Sequence, residues 1–166
     1  MSALGYQNRS YDLLALRGAK LRGEQLLAQN LFGPQDVGEV CTGAQKTAQR
    51  WVLEFLTKRG SLTFLPARGT DFMAWADRGQ LRNESDVRTA FQAAAVQAGD
   101  NLRSEEDNSW HPEDRFLEAS LTGLAVSDGQ VSLQAQISTQ AGGTRQVILP
   151  LPFPPTELRV SLHHTG

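Results

Sequence analysis

Three histidines, a run of carboxylates and one thiol are the side chains here whose types could do chemistry. A hydrolytic triad needs a histidine beside a nucleophile and an orienting carboxylate. His111 stands before Pro112 in a polar turn, which suits a solvated imidazole, and His163 and His164 fall in the last residues, where chains fray. Neither their spacing nor a neighbouring thiol or carboxylate fits a metal set. Glu105, Glu106, Asp107, Glu113 and Asp114 offer carboxylates of the kind that glycoside hydrolysis places across a sugar. One acid of such a pair must be held protonated by an apolar pocket, and only Trp110 is near in sequence, so a hydrated acidic linker is the expectation. Glu54 is more unusual, set between Leu53 and Phe55, although its helical position can face water opposite Ala48 and Phe55. Cys41 has no basic residue nearer than Lys46 and reads as a structural thiol. Gly69-Thr70-Asp71 could open a helix over an anion, but Asp71 puts negative charge where a phosphate would sit. Two of the three tryptophans, Trp51, Trp75 and Trp110, lie on expected helix faces, where core packing is their ordinary role. No catalytic, cofactor-binding or metal-ligating residue is assigned.

The frame that must position these residues is bounded by composition. The chain has 166 residues, 16 Lys+Arg against 18 Asp+Glu, and 40% hydrophobic residues, the balance of one soluble globular domain. At this length roughly 70% of the unfolded surface can be buried, so no disulfide or metal is needed to hold it. A lone cysteine excludes an internal disulfide framework, and no apolar run is long enough for a membrane span. Without a signal-like N-terminus, synthesis and folding in a reducing cytoplasm is the expectation. A pI near 5.9 argues against general nucleic-acid binding. Charge is uneven: residues 1–99 carry 12 basic and 9 acidic side chains, and residues 100–166 carry 4 and 9. The hydrophobic period also changes near Gly99, so these are two halves of one domain.

Six of the fifteen glycines fall within residues 1–43, where the apolar pattern is broken, so an irregular arm with at most a short hairpin between Leu13 and Leu27 is expected. Ala44, Ala48, Trp51, Val52, Phe55 and Leu56 recur three or four apart and predict a helix over residues 44–58, with Thr42 as N-cap, Gly60 beyond its C-terminus, and Lys58 and Arg59 at the negative end of its dipole. Thr70 is placed to cap a short helix, 71–78, that Gly79 ends. A second long helix follows Ser85, with Val87, Phe91, Ala94, Ala95, Ala98 and Leu102 on one face and Gly99 as a possible early stop. From Phe116 the period becomes two. Ser127-Asp128-Gly129-Gln130 is a hairpin signal between Leu124 and Val126 on one side and Val131, Leu133, Ala135 and Ile137 on the other. Residues 140–144 turn into a strand over 145–149. Pro150, Pro152, Pro154 and Pro155 interrupt the ladder as an extended connector, and residues 157–162 form a last short strand. The expected architecture is α+β: an irregular arm, 1–43, then one domain, 44–166, whose two main helices (within 44–102) pack on one face of a C-terminal antiparallel sheet (within 116–162).

Between Gln130 and Leu149 the only charge is Arg145 and there is no proline, so these strands carry few of the devices that block edge-to-edge pairing. Ser132, Gln134, Gln136 and Ser138 are the expected outward positions. Either a helix covers the edge or a partner completes the sheet by strand addition. Arg145, Val147, Leu149, Leu158, Arg159, Val160 and Leu162 are the candidate interface residues on this reasoning.

The order of these elements is also familiar. Residues 45–56, then Thr57-Lys58-Arg59-Gly60-Ser61-Leu62, then Leu65-Pro66-Ala67-Arg68-Gly69-Thr70-Asp71, a second helix and a meander together resemble the small baseplate wedge proteins of contractile phage tails. These are also called sheath initiators and are sometimes labelled lysozyme-like. The likeness spans roughly residues 40–150 at the level of pattern. A Glu-Pro-Arg-type motif entering the sheet in that family has its nearest counterpart in His111-Pro112-Glu113-Asp114-Arg115, with the residue types in another order. The resemblance implies a non-enzymatic structural role in the virion, with sheath protein and other wedge proteins near the tail tube as partners, and neither membrane nor nucleic acid bound. It adds Glu113 and Arg115 to the candidate interface. Two other classes stay open: a peptidoglycan-cleaving enzyme acting through Glu54 or Glu113, and a small self-associating adaptor.

Overall fold

Alternating apolar residues and two amphipathic helices build one core. The computed structural model describes residues 10, 12–13, 16–21, 24–29, 40–127 and 130–152. Its elements in chain order are β1 (Asp12–Leu13), β2 (Leu16–Leu21), β3 (Glu24–Gln29), β4 (Val40–Cys41), α1 (Gly43–Leu56), α2 (Phe72–Asp77), α3 (Glu84–Glu105), a 3-10 turn (Pro112–Asp114), β5 (Phe116–Ser127), β6 (Gln130–Thr139) and β7 (Thr144–Pro152). Strands β5, β6 and β7 form an antiparallel sheet in that order, and helices α1 and α3 pack against it, so the fold is α+β as expected. The arm contributes two pairings, β1 with β4 and the hairpin β2–β3, the latter where a short hairpin was anticipated.

The period-two reading of the sheet holds through β6 and β7. Val131, Leu133, Ala135 and Ile137 of β6 stand beside Leu151, Leu149, Val147 and Arg145 of β7, and all of these except Arg145 are buried. β5 meets the same face with Ala119 and Leu121, then Leu124, because a bulge between Leu121 and Gly123 shifts its phase by one residue. The opposite face is polar, with Gln134 and Gln146 exposed and Ser132 and Gln136 half-buried. Ser138, expected to face outward, is buried at the hairpin end. On the helix side, Trp51 stacks on Phe55 at 4.8 Å between centroids, and Phe55 meets Phe72 at 4.9 Å and Phe91 at 5.3 Å. Of the tryptophans, Trp51 is fully buried and Trp75 packs partly buried against the core, whereas Trp110 lies under Lys46 and Arg50, each 4.7 Å from its ring centroid.

Five boundaries differ from expectation. Helix α1 stops at Leu56 rather than residue 58, because Thr57 turns extended and Lys58 bridges to Thr70. Helix α2 is shorter than expected, and Thr70 bonds its start, accepting from the Phe72 N–H at 3.3 Å while donating to the Phe55 carbonyl at 2.7 Å. Helix α3 begins at Glu84 because the Asn83 side chain accepts from the Asp86 N–H at 2.9 Å. It also runs straight through Gly99 to Glu105, since Gly99 lets the helix approach the sheet: a Cβ there would sit 2.8 Å from Cε1 of the buried Phe116 ring. Finally, Pro150 and Pro152 do not leave the ladder; they stand in β7 opposite Ser132 and Gln130. Pro154, Pro155 and the expected strand over 157–162 lie outside the described residues, as do Asp128 and Gly129 of the β5–β6 turn.

Helix propensity alone makes Gly99→Ala stabilising by up to about 1 kcal/mol. The contact with Phe116 reverses the sign, so the variant is expected to lose about 1–3 kcal/mol in urea denaturation. A gain in stability would mean that the ring yields to the new methyl group.

Candidate interaction surface

The two edges of the sheet are finished differently. On β5, the Phe116 N–H donates to Glu106 Oε2 at 2.9 Å and the Leu117 carbonyl accepts from Arg103 Nη2 at 2.8 Å. Register shifts at Phe116/Glu118 and Leu121/Gly123 further spoil this edge as a template. On β7, pairing with β6 is fixed by the hairpin, in which the Thr139 N–H donates to the Gly143 carbonyl at 2.8 Å. In an antiparallel ladder that bond makes 139/143, and then every second pair, the hydrogen-bonded ones. Arg145, Val147, Leu149 and Leu151 therefore direct their backbone groups to β6, and Thr144, Gln146, Ile148, Pro150 and Pro152 direct theirs away from it. The prolines agree, since a strand tolerates proline where its missing N–H would face outward. Among the described residues, β7 has β6 as its one ladder partner. β3 comes within 8 Å of β7 between Cα atoms but forms no ladder with it.

This geometry sorts the candidate interface residues. Arg145 is exposed. Val147 and Leu149 are 0% and 4% exposed, so they are core side chains, held inward by the same alternation that made them look like interface residues; the backbone groups left open on this strand belong to their neighbours. Leu158, Arg159, Val160 and Leu162 lie outside the described residues. Glu113 and Arg115 are half-buried at the hairpin end of the sheet, where the Arg115 carbonyl accepts from the Gln140 N–H at 3.0 Å. Arg115 Nη1 donates to Asn108 Oδ1 at 3.3 Å, while its Nε is buried without a partner. The Glu113 carbonyl lies 3.5 Å from Thr47 Oγ1, and its N–H donates to His111 Nδ1 at 3.3 Å. The structure thus brings Arg115 and the start of the open β7 rim to one end of the sheet.

Asp114, read in the sequence as part of a hydrated linker, is the residue that organises this end. It is fully buried, and its Oδ1 accepts from the Gly43 N–H at 2.5 Å and from Thr42 Oγ1 at 3.2 Å, so a residue 71 positions away caps α1. A carboxylate at the positive end of the helix dipole suits this place. Thr42, expected to cap α1 itself, makes no side-chain cap bond and instead donates to Asp114. Other members of the acidic stretch are also engaged: Glu106 holds Arg50 at 2.7 Å and Glu105 holds it at 3.2 Å. Asp107 is exposed, and its carboxyl is pulled below the usual range by bonds from the Ser109 hydroxyl and backbone N–H. The linker reading fails for Glu106 and Asp114, whose partners Arg50, Thr42 and Gly43 are remote in sequence, whereas Glu105 and Asp107 are exposed as it expects.

Glu54 does not face water. At 4% exposure it accepts from the Gly69 N–H at 2.6 Å, Asn101 Nδ2 at 2.6 Å, and Arg68 Nε and Nη2 at 2.8 and 2.5 Å. Burial pushes its pKa up, but Arg68, Gly69 and Asn101 outweigh that and hold it below the ordinary value. A glycosidase acid needs the opposite arrangement. The network closes the base of the loop between α1 and α2, where Gly69 has φ +88° and a Cβ would fall 2.3 Å from the Thr57 carbonyl oxygen. Cys41 is buried, and burial, then Asp12, raise its thiol pKa, which keeps it a thiol. Burial lowers the pKa of Lys46, whose Nζ bonds Ser10 Oγ. Among the described residues no group of His, Cys, Asp and Glu is arranged to hold a metal, and no helix is long and apolar enough to cross a membrane.

Glu54→Gln is expected to cost about 2–4 kcal/mol at neutral pH, because a buried carboxylate with charged and backbone donors is replaced by a poorer acceptor. The sign with pH follows from a folded pKa lying below 4.5: the stabilisation is complete above that value and is lost as pH falls through the folded pKa. Denaturation midpoints of wild type and variant should converge on acidification; a constant gap would show that the carboxylate charge contributes nothing. The chain matches no protein-family model, no curated protein and no solved structure.

Proposed function

We propose that this chain is a structural component of the baseplate wedge of a contractile phage tail, and that it starts sheath assembly by accepting an extended strand along β7. The observation that carries the reading is the open rim of β7, with the N–H and C=O of Thr144, Gln146 and Ile148 directed away from the sheet and without a ladder partner among the described residues. The resemblance across residues 40–150 supplies the partner: a sheath subunit's extended segment, with other wedge proteins around the tail tube as further neighbours. Strand addition suits such a joint because backbone bonds give affinity while alternate side-chain positions give register. Arg145 is exposed beside the rim, and Glu113 and Arg115 lie half-buried at its hairpin end. In this reading the protein is not an enzyme, uses no cofactor, binds neither nucleic acid nor membrane, and resides in the virion after assembly in the host cytoplasm.

Proline substitution on the rim tests the reading without breaking the sheet. Gln146→Pro and Ile148→Pro each remove an outward N–H and spare the bonds to β6, as Pro150 and Pro152 already do. Each lost bond is worth about 0.5–1.5 kcal/mol net, so the double variant should bind sheath subunits about tenfold or more weakly while its circular dichroism stays that of the parent. Undiminished binding by a folded double variant would remove β7 from the assembly.

A further inference from the structure

The segment between α1 and α2 displays apolar side chains that the described residues leave exposed. Phe64 is 95% exposed, and Leu62 and Leu65 are exposed beside it. The display is rigid. The Arg59 N–H donates to the Thr70 carbonyl, the Thr70 N–H to the Thr57 carbonyl and the Gly60 N–H to the Pro66 carbonyl, at 2.9, 2.8 and 3.1 Å, with Glu54 locking the base. A clasped loop loses little conformational freedom when its tip is buried, so such a tip is prepared to dock.

A matching recess lies elsewhere on the molecule. A groove of about 480 Å³ runs between α3 and β5, with Phe91, Ala95, Val96, Phe116 and Leu121 among its walls. Val96 is 61% exposed on its rim. At 100° per residue, Gln97 and Asn101, which bond Asp71 and Gly69 at the loop base, lie on the flank of α3 opposite Ala95, Gly99 and Arg103. Loop and groove therefore face away from each other, and this loop does not reach the groove of its own chain.

Charge identifies the occupant. Arg88 and Arg103, which line the groove, are already paired with Glu84 and Asp100. The Glu118 side chain in the same lining has no hydrogen bond or ion pair among the described residues, and neither has the exposed guanidinium of Arg59 at the foot of the loop. An apolar tip flanked by a cation complements a groove of mixed apolar and polar walls that carries a carboxylate, both charges unpaired among the described residues.

We propose that the loop carrying Leu62, Phe64 and Leu65 docks into the α3–β5 groove of a second copy of this chain, with Arg59 meeting Glu118. The contact is heterologous, so it repeats head to tail into rings or rows rather than closing as a two-fold dimer. Its small area places it in the weak class, below about 1,200 Å², where crowding on an assembly supplies the concentration. It involves neither β7 nor its rim.

Sedimentation of the full chain up to about 1 mM tests this. The mass should rise with concentration, and Phe64→Ser or Val96→Glu should each weaken association about ten- to a hundredfold. Both residues are exposed, so both variants should fold. Mixing the two variants should restore a heterodimer and nothing larger, because one intact loop meets one intact groove. A wild-type chain that stays monomeric overturns the proposal, as does association abolished by Ile148→Pro instead. Binding of the wild type to phosphatidylglycerol vesicles that Phe64→Ser abolishes and Val96→Glu leaves unchanged would assign the loop to a lipid surface and overturn it equally.

Discussion

A carboxylate without access to water sets the arrangement of this molecule. Asp114 stands at the entry to the sheet and bonds the first turn of α1, so the place where the sheet begins and the place where the first long helix begins are one place. Once α1 starts there, its apolar face lies across β6 and β7, and α3 fills the remaining width along β5. A second buried carboxylate, Glu54, does the same near the other end of α1 by gathering Arg68, Gly69 and Asn101. The helix is thus pinned near both ends by charges whose partners come from other elements. Removing one partner of such a buried group costs more than the bond itself is worth, because the survivor stays desolvated.

The features that could be read from the sequence are those whose partners are near in sequence or follow a period. The spacing of Ala48, Trp51, Val52 and Phe55 gave α1, and the alternation Val131, Leu133, Ala135, Ile137 gave β6 and, by pairing, β7. What could not be read depends on distance. Asp114 and Glu106 look like solvated acids until the chain folds back on Gly43 and Arg50. Gly99 looks like a helix stop because local propensity counts only its missing side chain, not the Phe116 ring that needs the space. The prolines at 150 and 152 look like interruptions because composition does not tell which way an N–H would point. Val147 and Leu149 were placed at an interface by the same omission: a strand on the edge of a sheet still has an inner face.

The contrast between β5 and β7 shows how one sheet can be closed on one side and open on the other. Side chains of α3 and the residue after it occupy the first edge groups of β5, and its bulges break the regular spacing of the rest. β7 pairs with β6 without a register shift and carries a single charge. Natural proteins commonly guard edges of this kind, and the difference in treatment within one sheet is the physical basis for assigning the two edges different roles.

The two rings at Pro150 and Pro152 have a consequence of their own. A strand laid against β7 finds donors and acceptors alternating from Thr144 to Ile148, and then acceptors alone. Zippering from the hairpin end therefore runs into a stop written in the covalent chemistry of the chain, after a fixed number of steps. For any strand added there the rim would act as a gauge, setting a short length, and a segment offered in a slipped register would leave its own amide hydrogens or carbonyls unanswered at the stop.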